Sequence, residues 1–376
     1  MSNPLAEPAE LAALVPQLIE FRPDDRHVVI FGFGDREDDQ FVTFDIAPTN
    51  TEESQHFSEQ AAKTLHLIGR YDCHPNMITI ASYGEHGKAR AHAVEEGLRT
   101  QLNATQNLLI IQLHIDLATQ TVETYLPNLD KWTHPEPIKS ERVDALGALL
   151  GSSPAASLDD AKNAYEHTGT SAWQPLPAAE IDTINNQKHV ERGTEALDIL
   201  DRLATPGEQP RDTDYPRLGA LMDSSTLIRD LVITHDTASR PHAEVLRQAF
   251  LACPPEYIGL LGAVGGIKHY TAGDVIGGKQ LALQVPPNHP DASIAGMVST
   301  ATKAGFPPHK LQDLLNNVKT GLGTTLREAD LLAERNKTKQ ANFPEIGRTT
   351  NQTGPKQPDT TTNQQPSKEK DAGNEK

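Results

Sequence analysis

Cysteine is scarce in this sequence: Cys73 and Cys253 are its two cysteines in 376 residues, and no Cys-x-x-Cys pair occurs. Two distant cysteines argue against a disulfide framework and against a zinc site built from thiolates. Long apolar runs are missing too, since no stretch approaches the roughly 18 consecutive apolar residues that a membrane span needs. The acidic start of the chain is unlike a signal peptide. These absences predict a cytoplasmic protein with no membrane partner.

Acidic residues outnumber basic residues in this chain. The 34 Lys and Arg residues face 51 Asp and Glu residues, which gives a formal net charge of −17. No run of five or more basic residues interrupts this acidic balance. Because such a surface repels the phosphate backbone of nucleic acids, we expect no nucleic-acid partner.

Familiar catalytic motifs are absent as well. The sequence contains no G-x-S-x-G nucleophile turn, no H-E-x-x-H zinc motif and no set of protein-kinase motifs. Each of these motifs places a nucleophile, base or metal ligand where the chemistry needs it. We therefore predict no catalytic residue, no cofactor and no resident metal, and we favour a non-catalytic protein.

The first 130 residues carry alternating helix and strand patterns. Apolar residues at helical spacing precede a β-rich run, a polar turn and a second strand, which together indicate an antiparallel hairpin. The resulting order α-β-β-α-β-α-β-β predicts one mixed sheet covered by helices, which ends near residue 130. The segments are AELAALVPQLIEF, HVVIFGF, FVTFDIA, SEQAAKTLHLIGRY, MITIASYG, KARAHAVEEGLRTQL and NLLIIQLHIDLATQTVETYLP.

The rest of the chain changes character twice. Residues 131–188, punctuated by THPEP, GSSPAAS and WQPLPAAE, predict a partly irregular connector with a short helix or two. Residues 189–336 show only helical patterns and predict a domain of helical hairpins. Residues 337–376 are polar and nearly free of large apolar side chains, so we predict a disordered tail. The predicted fold class is α+β, with a mixed α/β sheet domain at 1–130 followed by an all-helical C-terminal domain and the tail.

The stretch HYTAGDVIGGKQLAL, residues 269–283, has the spacing of a phosphate-binding loop. Gly273 is followed after four residues by Gly278 and Lys279, as in G-x-x-x-x-G-K. However, Gln280 stands where that motif needs a Ser or Thr hydroxyl for magnesium. The preceding segment has helical and not strand spacing. The stretch therefore favours helix packing over phosphate binding.

We predict that this stretch belongs to two antiparallel helices joined at Gly273–Asp274. Gly266 and Gly278 are small residues that would let the two helices approach closely, and Pro290 is expected to close the second helix. The pattern resembles one tetratricopeptide unit. Because about three such units are needed for a stable solenoid, it predicts a hairpin and not a repeat array.

Several segments carry a resemblance to a known family. They are LAALVPQLIEFRPDDRHVVIFGF with Pro16, Phe21, Pro23, Asp25 and Val28–Val29, FDIA with Asp45, LMDSSTLIRDLVI with Arg229–Asp230, HYTAGDVIGGKQLAL, and AGFPPHKL. In them the chain resembles a set of actinobacterial proteins known as domain of unknown function 4192. The resemblance covers most of residues 8–320. Its motifs concern the fold, and it implies no established activity, cofactor or partner.

The chain departs from this family pattern at several positions. Glu20 stands where the pattern usually has Gly, and Arg26 stands where it usually has Ser. The segment with Cys and Pro that often follows the last strand is absent after Tyr125. If that segment contributes to a site in the family, this chain lacks that contribution.

A ligand site in the sheet domain is expected at the C-terminal ends of the strands, where open α/β sheets bind their ligands. Glycines there permit close approach, and polar side chains orient a small molecule. The candidate ligand-binding residues are Gly32 and Gly34 after the first strand, Asp45 after the second, and Ser82, Tyr83 and Glu85 after the third.

Two other polar groups favour structural interpretations. His114 and Asp116 lie two residues apart on one face of a strand, where both could coordinate a metal ion. A third ligand would have to come from elsewhere, such as His74 or His92, so we favour a strand with solvent-facing polar residues. Asp24–His27 precede the first strand, away from strand C-termini, and predict a structural turn.

Two hypotheses about function stay open. The first is a protein that acts through protein–protein contacts of its helical domain, since helical hairpins present grooves. The second is a small-molecule-binding or hydrolytic α/β domain that uses the strand ends. Replacing Asp45 or Glu85 by Ala would abolish ligand binding under the second hypothesis and change little under the first.

Overall fold

The predicted α+β fold class is confirmed by the computed structural model, which describes residues 7–34, 40–47, 53–102, 108–149, 153–174 and 176–342. The strands form one mixed sheet, and helices follow it. The strands are β1 His27–Phe33, β2 Phe41–Ile46, β3 Met77–Tyr83, β4 Leu109–Asp116, β5 Thr121–Leu126, β6 Lys131–Trp132 and β7 Glu136–Pro137. The helices are α1 Pro8–Ile19, α2 Glu53–Arg70, α3 Gly87–Gln101, α4 Glu141–Leu149, α5 Leu158–Asn163, α6 Ala178–Asn186, α7 His189–Ala204, α8 Asp214–Asp223, α9 Thr226–Thr234, α10 Arg240–Ala252, α11 Ile258–Thr271, α12 Val275–Leu283, α13 Ala292–Ala304 and α14 Pro308–Asn342.

The sheet has the strand order β2-β1-β3-β4-β5-β6, with β7 also paired to β5. Strand β1 runs antiparallel to both β2 and β3, whereas β3 and β4 are parallel. Parallel neighbours need a crossover connection, and α3 supplies it. The predicted hairpin of β1 and β2 is confirmed, as is the predicted order of helices and strands up to β5.

Successive residues of the central strands enter two different cores. Val29 and Phe31 pack with α1 on one face of the sheet. Val28 and Ile30 pack with α2 and α3 on the other face. Side chains of a strand point alternately to opposite faces, so a sheet covered on both sides needs apolar residues at nearly every position. Strand β3, which is buried along its whole length, meets this demand.

A third core holds the helical part of the chain together. It is formed mainly by apolar side chains of helices α6 to α14, and Trp173 joins it from the segment before α6. Within the described residues, no helix combines the length and the apolar character required to cross a bilayer.

The compact units of the chain are Met1–Asp330 and Leu331–Lys376. The predicted domain limits near residues 130 and 188 lie within the first unit and stay predictions. The segment 131–188 contains β6, β7, α4, α5 and α6. Helix α14 runs to Asn342, so residues 337–342 of the predicted tail are helical. The rest of that tail, residues 343–376, lies outside the described residues.

The glycine-rich stretch forms the predicted hairpin of α11 and α12. Gly273 lies at the junction with a φ of 92°, a conformation that glycine adopts without strain. A Cβ atom on Gly266 would lie 3.1 Å from the carbonyl oxygen of Gly278, so the two backbones are nearly in contact. Because a helix and not a strand precedes the loop, the alternative of a phosphate-binding loop loses its structural basis.

The expected end of the second helix at Pro290 is wrong, because α12 ends at Leu283. The earlier Pro286 explains the difference. A proline has no N–H to continue a helix, and it disfavours helical conformation in the residue before it.

We expect Gly278→Ala to destabilise the protein. The added Cβ would lie 2.8 Å from the Gly266 carbonyl oxygen and from the Tyr270 backbone nitrogen, and neither backbone atom can move aside easily. Overpacking of this kind costs about 1–3 kcal/mol. Urea denaturation followed by circular dichroism measures the free energy of unfolding.

Gly296→Ala is the matched control for this substitution. Gly296 lies inside α13, and a Cβ there would meet nothing within 4 Å. Alanine is favoured over glycine in a helix by about 1 kcal/mol, so this variant should equal or exceed the wild type in stability. Equal stability of the two variants would contradict the close approach of α11 and α12.

Candidate functional site

The predicted strand-end residues fall on two opposite edges of the sheet. Val28 pairs with both Asp45 and Ser82, which brings the end of β2 and the end of β3 to one edge. Gly32 pairs with Ile78 near the start of β3, so it lies toward the opposite edge. The C-terminal ends of strands meet only where strands are parallel, and β1 is antiparallel to its neighbours.

The predicted residues differ in what their side chains contact. Ser82 Oγ donates to the Leu113 carbonyl oxygen at 3.1 Å inside the sheet. Tyr83 is 1 % exposed, and burial raises the pKa of its hydroxyl well above the ordinary tyrosine value. Asp45 Oδ1 accepts from the Ile46 backbone nitrogen at 2.8 Å. Gly32 leaves room for the Phe41 ring, since a Cβ there would lie 2.3 Å from Phe41 Cε1.

Gly34 and Glu85 complete the predicted set. Gly34 follows the end of β1 and so shares the edge of Gly32. Glu85 follows β3 and lines a cavity of about 900 Å³, which we name the strand-end cavity. The cavity is also lined by Arg22–His27, His114 and residues 116–118.

The turn Asp24–His27 lies in the strand-end cavity because β1 is antiparallel to β3, which places the start of β1 beside the end of β3. Its polar groups are largely paired with one another: Asp24 Oδ1 accepts from the Arg26 backbone nitrogen at 2.9 Å and contacts His27 Nδ1 at 2.8 Å. Asp116 Oδ1 likewise accepts from the Ala118 backbone nitrogen at 2.8 Å. These two carboxylates therefore serve their local turns, whereas the buried His27 Nε2 and His114 Nδ1 have no hydrogen-bond partner among the described residues.

A second cavity, of about 490 Å³, lies between the end of α1, the segment after α5, and helices α10 to α12. We name it the Asp274 cavity. Its polar lining side chains are Glu20, Ser153, Tyr165, Arg240, Glu244, Arg247, His269 and Asp274.

The Asp274 carboxylate accepts hydrogen bonds from three directions. It caps α12 through the Gly277 backbone nitrogen at 2.7 Å, and it accepts from His269 Nδ1 at 2.7 Å. The Tyr165 hydroxyl is the third donor. Burial alone would raise the pKa of Asp274, but its hydrogen bonds, first of all the one from His269, outweigh burial and lower this pKa well below its ordinary value.

The glycine after this cap makes the contact with Tyr165 possible. A Cβ on Gly277 would lie 2.4 Å from Tyr165 Cζ and 2.1 Å from Asp274 Oδ2. Any larger residue at this position would therefore push the tyrosine off the carboxylate. The glycines of the stretch thus serve the site as well as the helix packing.

Glu20 places a second carboxyl group beside Asp274. Burial and the charge of Asp274 raise the pKa of Glu20 far above its ordinary value, against the opposing effect of Arg240 at 3.3 Å. Glu20 is therefore a neutral acid at neutral pH, and the two carboxyl groups share one proton. Its φ of 65° is the left-handed conformation that non-glycine residues rarely adopt.

His269 has one ring nitrogen engaged and one without a partner. Its Nδ1 donates to Asp274, so its Nε2 carries the free lone pair. The side chain is 5 % exposed, and Nε2 has no hydrogen-bond partner among the described residues. A carboxylate that orients an imidazole in this way leaves the second nitrogen free to accept a proton.

Two arginines frame the same cavity. Arg247 makes a forked contact with Glu244, with nitrogen–oxygen distances of 2.8 and 2.6 Å, and its guanidinium lies over the Tyr165 ring. Arg240 is less constrained, since 42 % of its side chain is exposed. Arg247 therefore positions the tyrosine, while Arg240 is accessible to an anionic group.

Sequence reasoning identified Gly273–Asp274 as a turn and did not identify the site around it. Asp before an apolar helix is an ordinary N-cap, so the local pattern does not distinguish a cap from a binding group. Glu20 and Tyr165 lie far from Asp274 in the sequence, and only the fold brings them together. The one available signal was the pair His269 and Asp274, which flank the helix junction.

The comparisons with known proteins give one family match. The family model described as "Domain of unknown function (DUF4192)" matches residues 8–309. No curated protein and no solved structure matches the chain. The matched range contains every polar residue of both cavities.

We expect Glu20→Gln to change how stability depends on pH. Glu20 has a raised pKa in the folded protein, so the folded state keeps a proton that the unfolded chain releases above pH 4.5. The stability that this group contributes is complete below that pH and falls by up to about 1.4 kcal/mol per pH unit as the pH rises toward the folded-state pKa. Glutamine can donate to Asp274 without titrating, so the variant should lose this slope.

The measurement is urea denaturation of both proteins between pH 5 and pH 8. Glu96→Gln, which changes an exposed glutamate on α3, is the matched control and should keep the wild-type slope. Parallel curves for wild type and Glu20→Gln would show that the carboxyl pair does not share a proton.

Proposed function

The chain belongs to the family described as a domain of unknown function (DUF4192), and we propose that it binds a small polar molecule in the Asp274 cavity. The observation that carries this proposal is the unpaired Nε2 of His269 in a cavity that also holds Glu20 as a neutral acid. Buried polar atoms without partners are uncommon in folded proteins, and a ligand is one way to satisfy them.

The size and lining of the cavity support the proposal. Sites for small molecules usually measure about 300–1,000 Å³ and combine apolar walls with a few converging polar groups. The Asp274 cavity, at about 490 Å³, has such walls in Ala155, Ala161, Ala243 and Ile276. It therefore suits a metabolite-sized molecule better than a peptide.

The polar groups define the chemistry of the ligand. His269 Nε2 accepts a hydrogen bond, so the ligand should offer a hydroxyl or amine donor there. Arg240 is the accessible cation, so the ligand should carry a carboxylate or phosphate toward the mouth of the cavity. The one proton of neutral Glu20 is engaged with Asp274, so Glu20 offers a ligand only acceptor oxygens.

The strand-end cavity is the alternative site, and its use by a ligand stays a prediction. Its greater volume favours it, but the carboxylates Asp24 and Asp116 already accept hydrogen bonds within their own turns. Both cavities contain buried imidazole nitrogens without a hydrogen-bond partner among the described residues. The Asp274 cavity differs because it also holds Glu20, a neutral carboxyl group, beside the Asp274 carboxylate.

Protein–protein contact is the second candidate function. Met297 on α13 and Leu314 and Val318 on α14 are large apolar side chains exposed by 43, 55 and 51 %. Leu314 and Val318 are four residues apart, which puts them on one face of the helix. Exposed apolar side chains on neighbouring helices support a contact surface in the helical domain.

We expect Asp274→Asn to abolish ligand binding while the protein stays folded. Asparagine is a good N-cap, so α12 keeps its start, but the neutral amide no longer fixes the His269 tautomer. Native mass spectrometry of protein purified gently from its own host, compared with the denatured mass, detects a bound molecule. The wild type should carry an extra mass of a few hundred daltons, which the variant lacks.

Asp159→Asn is the matched control, because Asp159 lines the strand-end cavity. This variant should keep the bound molecule. Loss of the molecule from Asp159→Asn or Glu85→Gln, with Asp274→Asn still loaded, would move the site to the strand-end cavity. A wild-type mass equal to that of the polypeptide would contradict binding in either cavity.

A further inference from the structure

Three side chains from different helices converge on one point away from both cavities. Asp201 lies on α7, His235 directly follows α9, and His242 lies in the first turn of α10. One ligand atom of each lies within 4.8 Å of the others. Both imidazole Nε2 atoms contact the same oxygen, Asp201 Oδ1, at 2.7 and 2.9 Å.

We propose that Asp201, His235 and His242 form a three-ligand site for Zn²⁺ or a similar first-row transition-metal ion. This proposal is independent of the proposed function at the Asp274 cavity. Two imidazoles and one carboxylate are a ligand set that zinc and related ions take, whereas Ca²⁺ and Mg²⁺ favour sites made of oxygen atoms alone.

The observed distances suit a site without its ion. Zinc–ligand bonds of about 2.0–2.2 Å at tetrahedral angles place neighbouring ligand atoms roughly 3.3–3.5 Å apart. The two Nε2 atoms lie 2.7 and 2.9 Å from Asp201 Oδ1, which is about 0.4–0.8 Å closer than this. Small rotations of the side chains therefore open the group enough to admit an ion, without movement of the helices.

The two histidines are held by the turn that joins α9 to α10. Lys268 donates to the backbone carbonyl oxygens of His235 and Asp236, at 2.6 and 2.8 Å. Ser239 caps α10 by accepting from the His242 backbone nitrogen at 3.3 Å. The two imidazole rings then lie 5.2 Å apart between centroids. A turn fixed in this way limits the reorganisation that ion binding requires.

The site combines buried and accessible ligands. His242 is 8 % exposed at its side chain, whereas Asp201 is 51 % exposed. An ion can therefore enter past the carboxylate. Three protein ligands leave a fourth position open to water, as in catalytic zinc sites and unlike the closed four-ligand structural sites.

The ammonium group of Lys268 sets a limit on affinity. It lies close to the histidines, since it is bound to the carbonyl oxygen of His235 itself. Like charges repel, so we expect weaker binding than at a four-ligand structural zinc site, where no such cation is present.

Metal titration of the full-length protein tests the proposal. Metal-stripped wild type is titrated with Co²⁺, whose visible absorption reports a site with nitrogen and oxygen ligands, and with Zn²⁺ in calorimetry. We expect one equivalent at a defined site and a rise in melting temperature with Zn²⁺. Asp201→Asn and His235→Asn should each weaken binding at least about tenfold, because each removes a ligand.

The chain has 15 histidines, so controls must separate this site from the 13 that lie outside it. His134→Asn removes an exposed imidazole elsewhere and should leave the titration unchanged. Circular dichroism verifies that the ligand variants stay folded. The proposal is overturned if Asp201→Asn and His235→Asn both bind the metal as tightly as the wild type does. It is also overturned if the wild type binds no metal under these conditions.

Discussion

The carboxylate of Asp274 is the contact on which the candidate site depends. It joins the start of α12 to His269 on α11 and to Tyr165, which follows α5. Tyr165 lies more than 100 residues before Asp274 in the sequence, so this carboxylate ties a distant segment to the junction of α11 and α12. A buried donor that loses its acceptor costs about 1–3 kcal/mol, and two donors converge on this carboxylate beside the helix cap. Its anionic state is therefore built into the packing of the region.

The backbone conformation and the buried carboxyl group of Glu20 both cost folding free energy, which other interactions of the structure must offset. A non-glycine residue in the left-handed conformation costs of the order of 1–3 kcal/mol, and a carboxyl group beside an anion adds to that cost. Glycine would suit this backbone conformation better. This chain instead places an acid there, directed to Asp274. Among the described residues the same left-handed conformation recurs at Asp72, Gln120, Asp130 and Asp236, so what is particular to Glu20 is the buried carboxyl pair that it forms with Asp274.

The order of helices and strands could be predicted because it depends on local periodicity. Strands such as β1 and β3 are continuous apolar runs, and the flanking helices repeat apolar residues every three or four positions. The direction of each strand in the sheet has no such local signature. Since β1 runs antiparallel to β3, Gly32 is carried to one edge, and the turn before β1 joins the edge of Ser82. For this reason the predicted ligand-binding residues lie on two opposite edges of the sheet and not together.

The Asp274 cavity could not be predicted because each of its parts has an ordinary local explanation. Asp274 is a helix cap, Gly277 and Gly278 allow close packing, and Glu20 ends a helix. The buried carboxyl pair and the oriented imidazole form only when the fold brings these helix ends together. Helix ends carry backbone N–H and C=O groups without helical partners, and these groups draw polar side chains to them.

The same logic explains where the polar clusters of this fold lie. The sheet is covered by apolar side chains of helices on both faces, although His27, Arg90 and Glu95 are also buried in this region. The junction of α11 with α12 holds one cluster, and the junction of α9 with α10 holds the histidines that meet Asp201. At both junctions an Asp or Ser caps the following helix, and buried imidazoles lie beside the cap. Helix junctions are therefore places where this fold brings ionisable side chains of distant segments together, in addition to the sheet edge that forms the strand-end cavity.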